Sequence, residues 1–362
     1  MLLLAGLHAV FLIVLTANVV TLRRSRKDWV EPDVFPQLSV LIPARNEEQN
    51  LVRLLPTLAA QDYPDVEFVV YDDGSEDGTW DVIQTAGDAR IRGIRGDGPP
   101  PGWVGKVHAL YQATQHADGE IYLFLDADAA LHDADSLRRL VGRLLAVEQR
   151  ADAAGAVVSG LPRLRGGGLL LTSLVPFSML TALPIALIPR TESPSLAALN
   201  GQCWLIRSDV YHRHEPHAHR PDEVLEDVQI GRYLKSRGLR VELHDLQKEL
   251  EVWMYRSLGD AWAGFRKNVY LLQGGTPLRF LVVQSLYVLL FVVPPFVSPW
   301  FLASLYALKV GSDTFGRFPF WTRLLAPVSL LLGGLLPLDS ALGHWTGRIR
   351  WKGREVGKQS KA

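Results

Sequence analysis

The sequence predicts an α/β protein: a doubly wound domain on a parallel sheet, held by membrane helices. Three observations lead there. Short apolar runs alternate with helical stretches through the first third of the chain. Three of those runs empty directly into carboxylates. Long apolar blocks lie near both ends, each followed by basic residues. Short apolar runs with helices between them read as strands buried on both faces, the pattern of a parallel sheet.

Leu38-Ser39-Val40-Leu41-Ile42 is the first predicted strand, ending in Pro43-Ala44-Arg45-Asn46-Glu47-Glu48. A helix over 48–60 follows, stopped by Asp62-Tyr63-Pro64. The second strand, Val66 to Tyr71, ends in Asp72-Asp73-Gly74-Ser75. Asp77-Gly78-Thr79 reads as a turn and cap opening a helix to about 86. A weak strand over 90–95 leads into a Gly- and Pro-rich loop, 96–105. Helix resumes over 106–117. The strand Ile121 to Leu125 ends in Asp126-Ala127-Asp128. A helix over 135–149 and a strand over 153–159 complete the alternation, which indicates a doubly wound core. Further on, Cys203 to Arg207 reads as a strand. Val224 to Arg237 has helical spacing and stops at Gly238. Strands follow over 240–244 and 249–255. Leu258, Trp262, Phe265, Val269 and Leu272 form one helical stripe, broken by Arg266-Lys267-Asn268.

Leu2 to Leu22 is almost uninterrupted apolar sequence, close to the length a span needs. Arg23-Arg24-Ser25-Arg26-Lys27 follows, which places that end in the cytoplasm. The basic cluster comes after the apolar core, so an anchor (1–22) is expected in preference to a cleaved signal peptide. Phe280 to Leu308 is expected to cross once, tilted or kinked at Pro294-Pro295, and Leu324 to Trp345 to cross again. A basic tail, 346–362, also reads as cytoplasmic. The region 36–275 is then one cytoplasmic domain of an integral membrane protein. Leu169 to Ile188 is apolar but interrupted by Pro176 and Pro184. It reads as an interfacial helix, because a crossing there would part Asp126 and Asp128 from Glu226-Asp227. The stripe over 257–273 reads as a second interfacial helix.

Composition narrows the chemistry. The 362 residues carry no net charge, so bulk nucleic-acid binding is not expected. The single cysteine, Cys203, excludes a disulfide framework and zinc-finger spacing and reads as a core residue. No G-x-G-x-x-G follows the first strand, and no G-x-x-x-x-G-K-S/T is present, which disfavours dehydrogenases and P-loop enzymes. Ligands of open parallel sheets bind at the carboxyl ends of the strands. The acidic motifs gather there, and clustered carboxylates call for a cation. The predicted ligand is a metal-chelated, phosphate-bearing molecule, with Asp126-Ala127-Asp128 holding Mg²⁺ or Mn²⁺ against a diphosphate. His212, His214, His217 and His219 read as surface histidines of a loop. Glu226-Asp227 taken alone reads as the acidic first turn of a helix.

Taken in order, Val40 to Glu48, Asp72 to Thr79, Asp126-Ala127-Asp128 and Glu226-Asp227 resemble the family 2 glycosyltransferases of GT-A fold. Gly102-Trp103-Val104-Gly105-Lys106, Asn200-Gly201-Gln202 and Gly264 to Asn268 are similar to the membrane-bound members that glycosylate lipids, including carotenoid- and hopanoid-associated enzymes. The resemblance implies roles. Pro43, Ala44, Arg45, Asn46 and Glu47 would line the nucleoside pocket. Asp72 would hydrogen-bond the base, commonly uracil, with Asp73 beside it. Asp128 would ligate the metal; Asp126 would join it or contact the sugar or ribose. Asp227, with Glu226, would supply the general base. Lys106, Arg266 or Lys267 would offset diphosphate charge, with Trp103, Asn200, Gly201 and Gln202 on the acceptor or diphosphate side. In an inverting transfer the base lies across the sugar from the leaving group, so it should come from a separate segment, as Asp227 does.

The implied activity is transfer from a nucleotide-diphosphate sugar, a UDP-sugar above all, to a hydroxyl or carboxyl of a membrane lipid. The alternatives are a processive polysaccharide synthase, a polyprenyl-phosphate sugar transferase, and a non-catalytic nucleotide-sugar-binding scaffold. No Q-x-x-R-W of processive synthases is present, which favours single sugar addition.

Overall fold

The apolar runs become strands with little change of boundary. In a computed structural model, which describes residues 1–150, 155–351 and 354–355, the strands are β1 (Leu38–Ala44), β2 (Val66–Asp72), β3 (Ile91–Arg95), β4 (Ile121–Leu125), β5 (Ala129–Leu131), β6 (Ala156–Leu161), β7 (Arg163–Gly166), β8 (Cys203–Arg207), β9 (Arg240–Asp245) and β10 (Leu250–Tyr255). The chain divides into two units. One comprises 22–163 and 187–253; the other comprises 1–21, 164–186 and 254–362.

The first unit is an α/β domain around a seven-stranded sheet of order β3-β2-β1-β4-β8-β6-β9. β1 pairs parallel with β2 and β4, and β2 pairs parallel with β3. That half matches the expected parallel core, and every residue of β4 is buried. The parallel arrangement expected of the early strands does not extend beyond β4. β8 runs antiparallel between β4 and β6, so the sheet is mixed. The cause is local: Ser159 Oγ and the Asn200-Gly201-Gln202 turn fix the approach to β8. Asn200 N donates to Ser159 Oγ at 2.8 Å, and Ser159 Oγ donates to Cys203 O at 3.0 Å. Phe124 stacks on Trp204 with centroids 4.0 Å apart, locking the antiparallel pair. β5, only three residues long, pairs antiparallel with β10 and lies outside the main sheet.

Behind the sheet, helix Ser136–Arg150 buries Arg143 completely. Its guanidinium donates to Glu249 Oε1 at 2.7 Å and to Ser25 O at 2.5 Å. Removing one partner of a buried ion pair leaves an uncompensated charge. Arg143→Met should therefore destabilise this unit by about 3–5 kcal/mol, read as a lowered thermal midpoint in detergent; a midpoint unchanged from wild type would contradict it.

The second unit is helical and apolar on its surface. Leu2–Ser25 and Ala326–Trp345 are long and apolar enough to cross a membrane. The polar residues that interrupt the first apolar run are buried contacts. His8 pairs with Ser304 Oγ at 2.7 Å and Leu290 O at 2.9 Å. Asn18 Nδ2 donates to Leu180 O and Leu183 O, and its Oδ1 accepts from Ile185 N. Asn18 thereby ties Leu2–Ser25 to the region around 180–185, where the expected interfacial helix over 169–188 is resolved as Leu169–Thr172, Leu174–Ala182 and a 3-10 turn at Ile185–Arg190.

The block 280–308 does not form one spanning helix, against expectation. It divides into Pro277–Tyr287 with a π-turn to Val292, Pro294–Val297, and Pro299–Phe315. In a straight helix, Leu290 and Ser304 would lie about 21 Å apart, yet one imidazole, that of His8, touches both. The chain doubles back between them, where Pro294, Pro295 and Pro299 deny the backbone its helical donors and Ser298 is extended. Within the basic tail, 352–353 and 356–362 lie outside the described residues, as does the start of the strand expected at 153.

Candidate active site

The carboxyl ends of β1, β2 and β4 carry the acidic motifs. Ala44 and Asp72 are register partners at the ends of β1 and β2. The polar atoms of the first motif tie the two loops together. Arg45 donates to Asp73 O at 2.9 Å and Gly74 O at 2.7 Å. Asn46, in a left-handed conformation (φ 51°), takes Ser75 Oγ as acceptor for its N–H and accepts from Glu76 N. Glu47 N donates to Thr79 Oγ1, whose own N–H is capped by Asp77. Arg45, Asn46 and Glu47 are thus fastened to the 73–79 loop by side-chain and backbone bonds together. Asp72 is fully buried: its Oδ1 accepts from Ser75 N at 2.9 Å, and its Oδ2 has no hydrogen-bond partner among the described residues. Such an acceptor costs about 1–3 kcal/mol unless a ligand supplies an N–H.

Sequence reasoning missed His108. It lies in helix Gly105–Thr114, 3.5 Å from Asp73 Oδ1, and its ring packs edge-on to Trp103 and Tyr71. The available signal was its place two residues after Lys106, in the first turn of the same helix. A single histidine among apolar neighbours did not mark it.

The structure brings Lys106, Asp126, Glu226 and Asp227 together. Lys106 Nζ lies 2.7 Å from Asp126 Oδ1 and 3.1 Å from Glu226 Oε1. Asp227 Oδ2 accepts from Gly201 N at 3.1 Å, and its Oδ1 accepts from Val228 N at 2.8 Å. Asp126 N in turn donates to Gln202 O. The Asn200-Gly201-Gln202 turn therefore fastens the metal motif to the predicted base. A Cβ on Gly201 would meet Asp227 Cβ at 3.2 Å and Glu226 Oε1 at 3.3 Å, a tight fit against both acidic residues. Glu226-Asp227 is also the first turn of helix Glu226–Ser236, where the macrodipole favours negative charge.

The electrostatics separate these groups. Burial and then the Glu226 charge raise the Asp227 carboxyl to about 6, against the opposing pull of Lys106 and two backbone N–H groups. Burial opposes the charge on Lys106, but Asp126, Glu226 and Asp227 outweigh it and hold the amine well above its ordinary value. One cation facing three carboxylates leaves the cluster net negative, which suits a further cation.

Asp126 and Asp128 are hard oxygen donors at the end of β4, the type Mg²⁺ and Mn²⁺ prefer. Their donor type suits a divalent metal, and Asp126 Oδ1 is paired with Lys106. Asp28, Glu242 and His244 also stand close enough to share an ion, but arginines already fill that role. Arg150 pairs with both Asp28 and Glu242, and Arg240 Nε lies 2.7 Å from Glu242. Burial alone would raise Glu242; hydrogen bonds from His244 and Arg240 and the Arg150 charge hold it at about 2. This cluster is an ion-pair network.

Other expected residues fall elsewhere. Arg266 and Lys267 belong to the helical unit, where Arg266 Nε pairs with Asp339 at 3.0 Å and His344 bonds Lys267 O. His217 is fully buried, contrary to the surface reading of the histidine run. Its Nδ1 bonds Tyr211 at 2.8 Å, and burial lowers its pKa to about 3, so it stays neutral. Cys203 is a buried core thiol, as expected.

Residues 39–214 match the family described as Glycosyl transferase family 2. This region is a family 2 glycosyltransferase domain. Two curated relatives are named 4,4'-diaponeurosporenoate glycosyltransferase. The one from Staphylococcus haemolyticus is 34% identical over 111 residues, 31% of this chain and 29% of that protein. The one from Staphylococcus aureus is 35% identical over 106 residues, 29% of this chain and 28% of that protein. The matched segment thus spans less than a third of these relatives. Among solved structures, the mannosyltransferase PcManGT from Pyrobaculum calidifontis, in complex with GDP-Man and Mn²⁺, aligns with a TM-score of 0.53 at 20% identity. The alignment covers 93% of this chain and 98% of that one. It establishes the shared GT-A-like fold.

Proposed function

We propose that the protein is an inverting, metal-assisted glycosyltransferase that moves one sugar from a nucleotide-diphosphate sugar, a UDP-sugar, to a hydroxyl or carboxyl of a membrane lipid. The observation that carries this reading is the joining of Lys106, Asp126, Glu226 and Asp227 through the Gly201 turn. Asp72 Oδ2 offers an acceptor to the base N–H, and Pro43 to Glu47 would line the nucleoside pocket. Asp128 and Asp126 would hold Mn²⁺ or Mg²⁺, which when bound neutralises diphosphate charge. Asp227 takes the acceptor proton as the acceptor oxygen forms its bond to the anomeric carbon. The bond from that carbon to the diphosphate oxygen breaks, and Lys106 offsets the charge left on the departing nucleotide.

The names of the relatives support an apolar, carotenoid-like acceptor. The apolar surface of the helical unit, with Leu278, Phe296 and Phe320 exposed, supports residence in a bilayer. The basic residues after Leu22 support a cytoplasmic catalytic domain. On this reading Trp103, Asn200, Gly201 and Gln202 serve the acceptor or diphosphate side.

The test is transfer by the purified full chain, with a panel of radiolabelled nucleotide sugars and a lipid extract. The expected product is a lipid heavier by a single sugar, formed only with added Mn²⁺ or Mg²⁺ and lost with chelator. A polymeric product, or no transfer from any donor, would reject the proposal.

A further inference from the structure

Trp253 is a large aromatic side chain that none of the assigned roles uses. It is 37% exposed, yet its indole is held on two sides. The Arg53 guanidinium lies over the ring, 4.6 Å from its centroid, and Nε1 donates to Glu251 Oε1 at 3.0 Å. Glu251 is itself braced by His132, 3.3 Å away. Both contacts favour one orientation of the indole.

Its position is set by the metal motif. β10 pairs antiparallel with β5 in the register Val252↔Ala129, and Trp253 N donates to Asp128 O at 2.8 Å. Trp253 therefore stands opposite Asp128. Val252 and Ala129 are fully buried. A half-open indole thus belongs to the residue whose backbone is hydrogen-bonded to Asp128, the residue expected to ligate the metal at the donor diphosphate.

We propose that Trp253 is the platform for the transferred sugar, stacking on a pyranose face formed by axial C–H bonds. This rests on the nucleotide-sugar reading of the site. An aromatic ring against an apolar sugar face supplies dispersion and C–H contact without needing the hydroxyls, so it sorts sugars by ring shape. Trp253 then acts on the sugar and not on the nucleotide.

The experiment compares UDP-glucose with UDP on the full chain with Mn²⁺, by calorimetry. Wild type should bind UDP-glucose more tightly than UDP. Trp253→Leu should weaken UDP-glucose about fivefold to tenfold and leave UDP unchanged, while Trp253→Phe should keep most of the difference. Arg53→Gln, which leaves the strand pairing intact, should weaken UDP-glucose by a smaller factor and serves if Trp253→Leu fails to fold. Equal weakening of UDP and UDP-glucose, a change in acceptor KM alone, or loss of vesicle association with donor binding intact would overturn the platform. So would wild type binding UDP-glucose no more tightly than UDP. Failure of wild type to bind any nucleotide would overturn the nucleotide-sugar reading itself, a different result from a platform that fails while UDP still binds.

Discussion

Asp227→Asn should lower kcat about 10³-fold, within the range that a positioned general base contributes, while leaving nucleotide binding close to wild type. The substitution keeps the shape but only one acceptor oxygen, so the side chain still accepts from Gly201 N or from Val228 N and loses the other bond. It removes the capacity to take a proton. A lipid carboxylic acid drawn into an apolar surface also holds its proton more tightly than in water, so the base matters for either acceptor class. The pH dependence has a definite sign. The base works only when ionised, and its carboxyl sits at about 6. Turnover in wild type should therefore fall as pH drops through about 6 and level off above it. Single-turnover rates with saturating donor, from pH 5 to 8, give both readings. Retained turnover in a folded Asp227→Asn protein would reject the assignment.

Much of the site was legible because its parts sit where β-strands end. Leu38 to Ile42 and Ile121 to Leu125 are buried throughout, and Val66 to Tyr71 is buried but for Glu67, so each reads as a short, mainly apolar run with acidic residues after it. Glu226-Asp227 carried no such strand signal, and only the order of motifs linked it to Asp126. The turn that joins them depends on Gly201 fitting against Asp227, a contact between positions 26 residues apart. The antiparallel entry of β8 was hidden for a related reason: a buried strand looks the same from sequence whichever way it runs. The reversal after 292 was also hidden, because a kinked span and a folded-back hairpin share one composition. What separates them is His8, bonded to two residues that a straight helix would hold apart. His108 and Trp253 gave no periodic signal at all. Their meaning comes from neighbours, Asp73 and Asp128, that lie on other segments of the chain.

Lys106→Met should cost about 10²–10³ in kcat/KM, the range seen when one charge-stabilising donor is lost, and should move the acid limb of the pH profile to higher pH. Lys106 is the cation between Asp126 and Glu226, and its charge opposes the rise of the Asp227 carboxyl. Without it, Asp126 and Glu226 face each other across an uncompensated gap, and Glu226 still repels the charge on Asp227. Protonation of Asp227 then becomes easier, so the fraction of ionised base at pH 7 falls. Lys106→Arg keeps the charge but spreads it over a planar fork, so it should restore the position of the limb better than it restores the rate. A purely structural lysine would behave otherwise: Met would lower the thermal midpoint and the amount of active protein, and the limb of the surviving activity would stay near 6. The profile of kcat/KM against pH for wild type, Lys106→Met and Lys106→Arg separates the two. An unmoved limb in Lys106→Met means that the lysine only braces the fold, and the division of labour between Asp126 and Asp227 then has to come from the Gly201 turn and the helix terminus alone.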